Sequence, residues 1–120
     1  MTVLSTGTKG HVSILYFDGT GGFHNIRHFE VSGEETVDSA HIGTIYWSAN
    51  NNATWEVSRG GNTLLKLVGS GSFHFESDGI RLETDAQATA NVSVALVGNL
   101  PKGGTILLKM HKKSSFTTEY

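Results

Sequence analysis

The chain contains no cysteine, which excludes disulfides, thiolate chemistry and cysteine-based zinc sites and leaves packing or oligomerisation to supply stability. Charge is sparse too. Charged residues make up 17% of the 120, and nine Lys and Arg against eleven Asp and Glu give a formal charge of -2. Binding to a phosphate backbone needs clustered positive charge, so this balance argues against direct nucleic-acid contact. The one basic run, Lys109, Lys112 and Lys113 around His111, is expected to be the solvated face of a terminal strand. No apolar run approaches the ~20 residues of a membrane-spanning helix, and MTVLSTGTKGHVSILYF lacks the apolar length and cleavage pattern of a signal peptide. A soluble chain without a membrane role is expected.

Signatures of chemistry are also missing. There is no GxSxG nucleophile elbow, and the glycine run Asp18-Gly19-Thr20-Gly21-Gly22 matches neither GxGxxG nor GxxxxGK(S/T). Glu30, Glu56, Glu76 and Glu83 could in principle pair for glycoside hydrolysis, but strand alternation places most of them on solvated faces. Six histidines invite a metal. His24 and His28, however, sit four apart in what reads as a strand, and a straight strand would hold them ~13 Å apart, too far to share an ion. The expectation is therefore a non-enzyme with no catalytic residue, no cofactor and no metal site.

What the chain does have is β pattern. No apolar repeat at helical period extends over eleven or more residues, whereas short alternating runs recur between Gly- and Asn-rich turns. The stretch Gly43 to Phe75 states the rule: an aromatic strand, an Asn-rich turn, a strand ending at Arg59, a Gly-Gly-Asn turn, a strand over Thr63 to Val68, then Gly-Ser-Gly. Trp55, Val57, Leu65, Leu67, Phe73 and Phe75 are its expected core. Further strands are expected over His11 to Phe17, Gly22 to Val31, His41 to Trp47, Ile80 to Thr84, Thr89 to Val97 and Thr105 to His111. Ser32 to Ala40 is read as an acidic loop with at most one helical turn.

About eight or nine strands with turn signals every ~8–12 residues are the spacing of a sandwich or barrel. The expected fold is all-β, an antiparallel β-sandwich, jelly-roll-like. Spacing alone does not separate that order from an immunoglobulin-like one, although the Cys-Trp-Cys feature of true immunoglobulin domains is absent. Residues 1–10 are expected to be an N-terminal arm, 11–111 the single domain, and 112–120 a tail.

Two strands carry apolar residues on both faces, His11 to Phe17 and His41 to Trp47, which is unusual for a strand with one solvated side. Tyr16, Phe17, Tyr46 and Trp47 are accordingly candidate intersubunit contacts. Glu34, Glu35 and Asp38 of the acidic loop, with the N-terminal arm, are candidate contacts to a larger partner. A second possibility is a carbohydrate platform in which Trp47, Trp55 and Tyr46 stack on sugar faces while Asn50 to Asn52 bond to hydroxyls.

The run IYWSANNNATWEVSRGGNTLLKLVGSGSFHF, followed by Ala90-Asn91-Val92-Ser93-Val94 and Thr105-Ile106-Leu107-Leu108-Lys109, resembles small β-rich virion proteins of tailed bacteriophages. The likeness covers about Gly22 to Lys109, and no residue roles come with it. It implies a structural subunit of the virion that decorates or cements the capsid, assembled in the host cytoplasm. Homo-oligomerisation, with a trimer favoured, and contact with the major capsid protein or other virion proteins would follow. The alternative it leaves open is a carbohydrate-binding or receptor-binding part of a tail or fibre.

Overall fold

The structure is a computed structural model that describes residues 2–6, 10–17, 21–31, 35–50, 53–98 and 103–116. Nine strands are found among them: β1 (Thr2–Thr6), β2 (His11–Phe17), β3 (Gly21–His24), β4 (Glu35–Ala49), β5 (Ala53–Arg59), β6 (Asn62–Leu67), β7 (Ser70–His74), β8 (Val92–Gly98) and β9 (Gly104–Phe116). They form two antiparallel sheets, one ordered β1-β2-β9-β4-β7 and the other β3-β8-β5-β6. Pairing is nested: β2 with β9, β3 with β8, β4 with β7, and β5 with β6. The chain thus behaves as one long hairpin rolled so that successive pairs alternate between sheets, and β4–β9 and β8–β5 contacts close the roll. This is a jelly roll. The fold expected from the sequence is the one observed, and the strand order left open there is decided by which strands pair.

Alternation drives the packing. Val12, Ile14 and Tyr16 of β2, Ile106, Leu108 and Met110 of β9, and Val92, Val94 and Leu96 of β8 point inward with Trp55 and Val57 of β5, forming one buried cluster between the sheets. Trp55 is fully buried and its Nε1–H donates to Ser48 O at 3.0 Å, so the ring brings its area without an unpaired donor. Gly104 begins β9 opposite Ala49 of β4: a Cβ there would run into Ser48 O and come within 3.0 Å of Trp55 Nε1, so only glycine fits. At the β5–β6 hairpin, Gly60 (φ 57°) and Gly61 (φ 85°) both occupy the left-handed region that a two-residue type I′ turn demands.

Several expectations are corrected. Gly22 to Val31 is not one strand; β3 stops at His24, and Asn25 Oδ1 accepts the Arg27 N–H to cap a 3-10 turn, Ile26–Phe29, whose Ile26 and Phe29 are buried. The acidic stretch is not all loop, because β4 begins at Glu35 and continues for 15 residues. Ile80 to Thr84 forms no strand; the segment runs irregularly into a single helical turn, α1 (Asp85–Ala88), closed by a reciprocal Thr84–Gln87 capping box. Strict alternation would put Ile42 beside Tyr46, but a bulge between Ile42 and Thr44 turns Ile42 inward with Ile45. Thr2–Thr6 of the expected arm is an edge strand, paired along its length with β2. β9 extends to Phe116, well into the expected tail.

Candidate interaction surfaces

The register of the five-stranded sheet assembles the first surface. Leu15 of β2 pairs with Leu107 of β9, which pairs with Tyr46 of β4, which pairs with Ser72 of β7. Their neighbours Tyr16, Ile106 and Ile45 are buried, so this row lies on the outer face, where solvent would favour polar side chains. Leu15 and Leu107 are half-buried and Tyr46 is 41% exposed. Lys109 Nζ stands 5.8 Å from the Tyr46 ring and His74 meets that ring edge-on at 5.6 Å, so one flank of the row is cationic or protonatable. A shallow groove of about 450 Å³ runs along Leu15, Tyr46, Trp47 and Leu107.

A second surface follows the β7 edge. Trp47 stacks on Phe73 with centroids 5.2 Å apart, and Phe73 on Phe75 at 5.4 Å. Trp47 Nε1–H donates to Val68 O at 3.0 Å, which locks the indole in place. Phe73, expected in the core, is 41% exposed, because an edge strand of one sheet has little of the other sheet above it.

The third surface is a histidine-lined cleft of about 510 Å³. His11, His111 and His41 are cross-strand neighbours on β2, β9 and β4, and the His11 and His111 rings meet at 5.1 Å. Glu76 Oε1 lies 3.5 Å from His111 Nδ1; Arg81 and Lys113 complete the polar wall. Burial, followed by the charges of Arg81 and Arg59, lowers the His41 pKa and favours its neutral form.

Beneath this cleft Arg59 and Glu83 form a fully buried ion pair. Arg59 also donates to the carbonyls of Ala40 (2.9 Å), Ala88 (3.0 Å) and Ala90 (2.9 Å), while Glu83 accepts the Ile42 N–H at 3.0 Å. Glu83 is therefore not the solvated carboxylate that alternation implied; the strand that would have exposed it does not form. Burial pushes its carboxyl above the usual range, against the opposing pull of the Ile42 N–H and Arg59. The pair ties the irregular segment and α1 to both sheets.

The residues singled out from the sequence scatter. Tyr16 faces the core at 2% exposure, with a hydroxyl that has no hydrogen-bond partner among the described residues, and burial pushes its pKa up to about 12. It is not available to a partner. Glu35 is buried as well: Lys112 Nζ lies 2.9 Å away, and Ser114 Oγ and the Val31 N–H donate to it. Desolvation raises the Glu35 pKa, but the bonds from Ser114, Lys112 and Val31 and the Lys112 charge outweigh it and hold the carboxyl below its usual range. Lys112, expected on a solvated face, is 4% exposed and also donates to Phe29 O at 2.7 Å. Both charges are structural. Asp38 is exposed and accepts the Ser115 hydroxyl at 2.6 Å. Glu34 and the Phe17 side chain lie outside the described residues, as do Asn51 and Asn52.

Of the expected contacts among the described residues, Tyr46, Trp47 and Asp38 remain accessible, and Tyr46 and Trp47 point to opposite faces of β4. The carbohydrate platform does not assemble as expected, since Trp55 is in the core. Leu15 and Leu107 were missed for the apolar row. Their signal was present as apolar residues on both faces of two strands, but nothing local says that those strands are neighbours. Among the described residues no group of three or more His, Asp or Glu side chains is gathered for a metal ion. Comparison with protein-family models, curated proteins and solved structures returned no match.

Proposed function

We propose that the chain is a non-enzymatic virion structural protein of a tailed bacteriophage, a capsid decoration or cement subunit that oligomerises, as a trimer, on the head surface. The observation that carries this reading is the apolar row Leu15–Leu107–Tyr46 open on the outer face of the five-stranded sheet. Covering such a row is favourable by ~25 cal/mol per Å² of apolar area removed from water, and the simplest cover is another copy of the same chain, because homo-oligomers dominate among soluble assemblies. The major capsid protein or other virion proteins would then be held through many weak contacts that multiply by effective concentration. The jelly roll supports the reading by analogy of fold, since capsid domains use it, as do lectins.

Size-exclusion chromatography with light scattering tests the proposal. A trimer that Tyr46→Glu or Leu107→Glu converts to a folded monomer is expected. A strict wild-type monomer that also fails to bind shells lacking it would overturn the assignment. The second reading, a glycan- or receptor-binding part of a tail or fibre, draws on the stacked Trp47–Phe73 edge. Trp55 is sealed in the core, so a glycan-induced change in fluorescence would report Trp47.

A further inference from the structure

A straight strand would hold His24 and His28 too far apart to share an ion, but in the fold the two do not lie on one strand. β3 ends at His24, and the Asn25-capped 3-10 turn, with its ~3 residues per turn, swings His28 back beside it. The two Nδ1 atoms end 3.3 Å apart, with the rings edge to face at 89°. Two nitrogens bound to one ion at ~2.1 Å with a tetrahedral angle would stand ~3.4 Å apart. The observed spacing is that of a chelate.

We propose that His24 and His28 bind one divalent transition-metal ion of the imidazole-preferring class, Zn²⁺, Ni²⁺ or Cu²⁺, through their two Nδ1 atoms. Imidazole nitrogen is a preferred donor for these ions, and ligation takes the neutral ring. Without metal the same contact is a hydrogen bond in which one ring donates its Nδ1–H. Binding moves that proton to Nε2, which leaves both rings as Nε2–H tautomers and releases none. The nearby carboxylate of Glu30 is engaged by Arg27 at 3.3 Å and by the Val37 N–H at 2.9 Å. The remaining coordination positions fall to water or to a donor group of a neighbouring molecule, and exposed His28 leaves the site open to either.

The test is a Zn²⁺ titration of the tag-free full chain, followed by calorimetry and by ¹⁵N NMR of the imidazoles. One ion per chain is expected, with the donating ring converting so that His24 and His28 both end as Nε2–H tautomers. His28→Ala, an exposed position that leaves the fold intact by circular dichroism, should weaken binding about tenfold or more through loss of one of two protein ligands, whereas His74→Ala should not. Absence of saturable binding up to about 1 mM Zn²⁺, undiminished binding by His28→Ala, or binding lost instead in His111→Ala would each overturn the proposal. None of these outcomes depends on the virion reading.

Discussion

Arg59 shows how much a single side chain can hold. Its guanidinium satisfies Glu83 and three carbonyls inside the protein, so Arg59→Ala leaves a buried carboxylate without its counter-charge and takes a donor from each of those carbonyls. A loss of ~3–5 kcal/mol in urea denaturation is expected, and the double change Arg59→Met with Glu83→Leu should recover much of it, since an apolar pair of similar volume needs no partner. Glu35 makes the parallel case for pH. Its folded carboxyl ionises more readily than its ordinary value of 4.5, so its contribution to stability is whole above that pH and is lost as pH falls through the lower folded value. Melting temperature should therefore fall more steeply on acidification below ~4.5 in the wild type than in Glu35→Gln. Equal slopes would mean that the Lys112–Glu35 pair carries no linkage. At Tyr16, where the buried hydroxyl lacks a partner among the described residues, Tyr16→Phe should leave stability unchanged or raise it by up to ~1 kcal/mol. Neither Arg59 nor Glu35 announced its role in the sequence, because strand alternation assigns a face but not what covers that face.

Elements that depend on local rules were legible. The Gly60-Gly61 turn follows from two residues free to take positive φ, and the alternation Val92-Val94-Leu96 names its buried face without reference to any other strand. The failures have a common cause. Gly22 to Val31 and Ile80 to Thr84 carry β pattern, yet the first is turned by the Asn25 cap and the second has no strand beside it to complete a ladder. β4 extends into the acidic stretch because β9 runs alongside as far as Phe116 and supplies the hydrogen bonds. Gly104 is a point of close approach in that pairing. Gly104→Ala should cost ~1–3 kcal/mol by forcing β9 away from Ser48 and Trp55, and thermal unfolding would detect it. A variant as stable as the wild type would show that the β4–β9 junction has slack.

For the whole molecule, the rolled hairpin brings β2, β9 and β4 side by side although they lie far apart in the chain. That arrangement creates both the apolar row Leu15–Leu107–Tyr46 and the histidine row His11–His111–His41 on one outer face. Alternation along the strand already sets Tyr46 and Trp47 on opposite faces, without saying what lies beside either. The sheet separates them, with Tyr46 in the row and Trp47 at the aromatic edge. Charge placed in the row should therefore act on association alone: Leu107→Glu is expected to abolish the proposed oligomer while the unfolding free energy of the monomer stays within ~0.5 kcal/mol of the wild-type value, as is usual for surface changes. Concomitant unfolding would place Leu107 in the fold rather than at an interface.

By itself the sequence determined the class of structure and the inward face of most strands. Turn chemistry and a two-residue side-chain period are local properties, set by residues next to one another in the chain. Tertiary structure alone decided the strand order, the burial of Arg59, Glu83, Glu35 and Lys112, the open apolar row, and the approach of His24 to His28. Each of these depends on which distant segments lie side by side, and strand pairing is set by the free energy of the whole sandwich rather than by any short stretch of it.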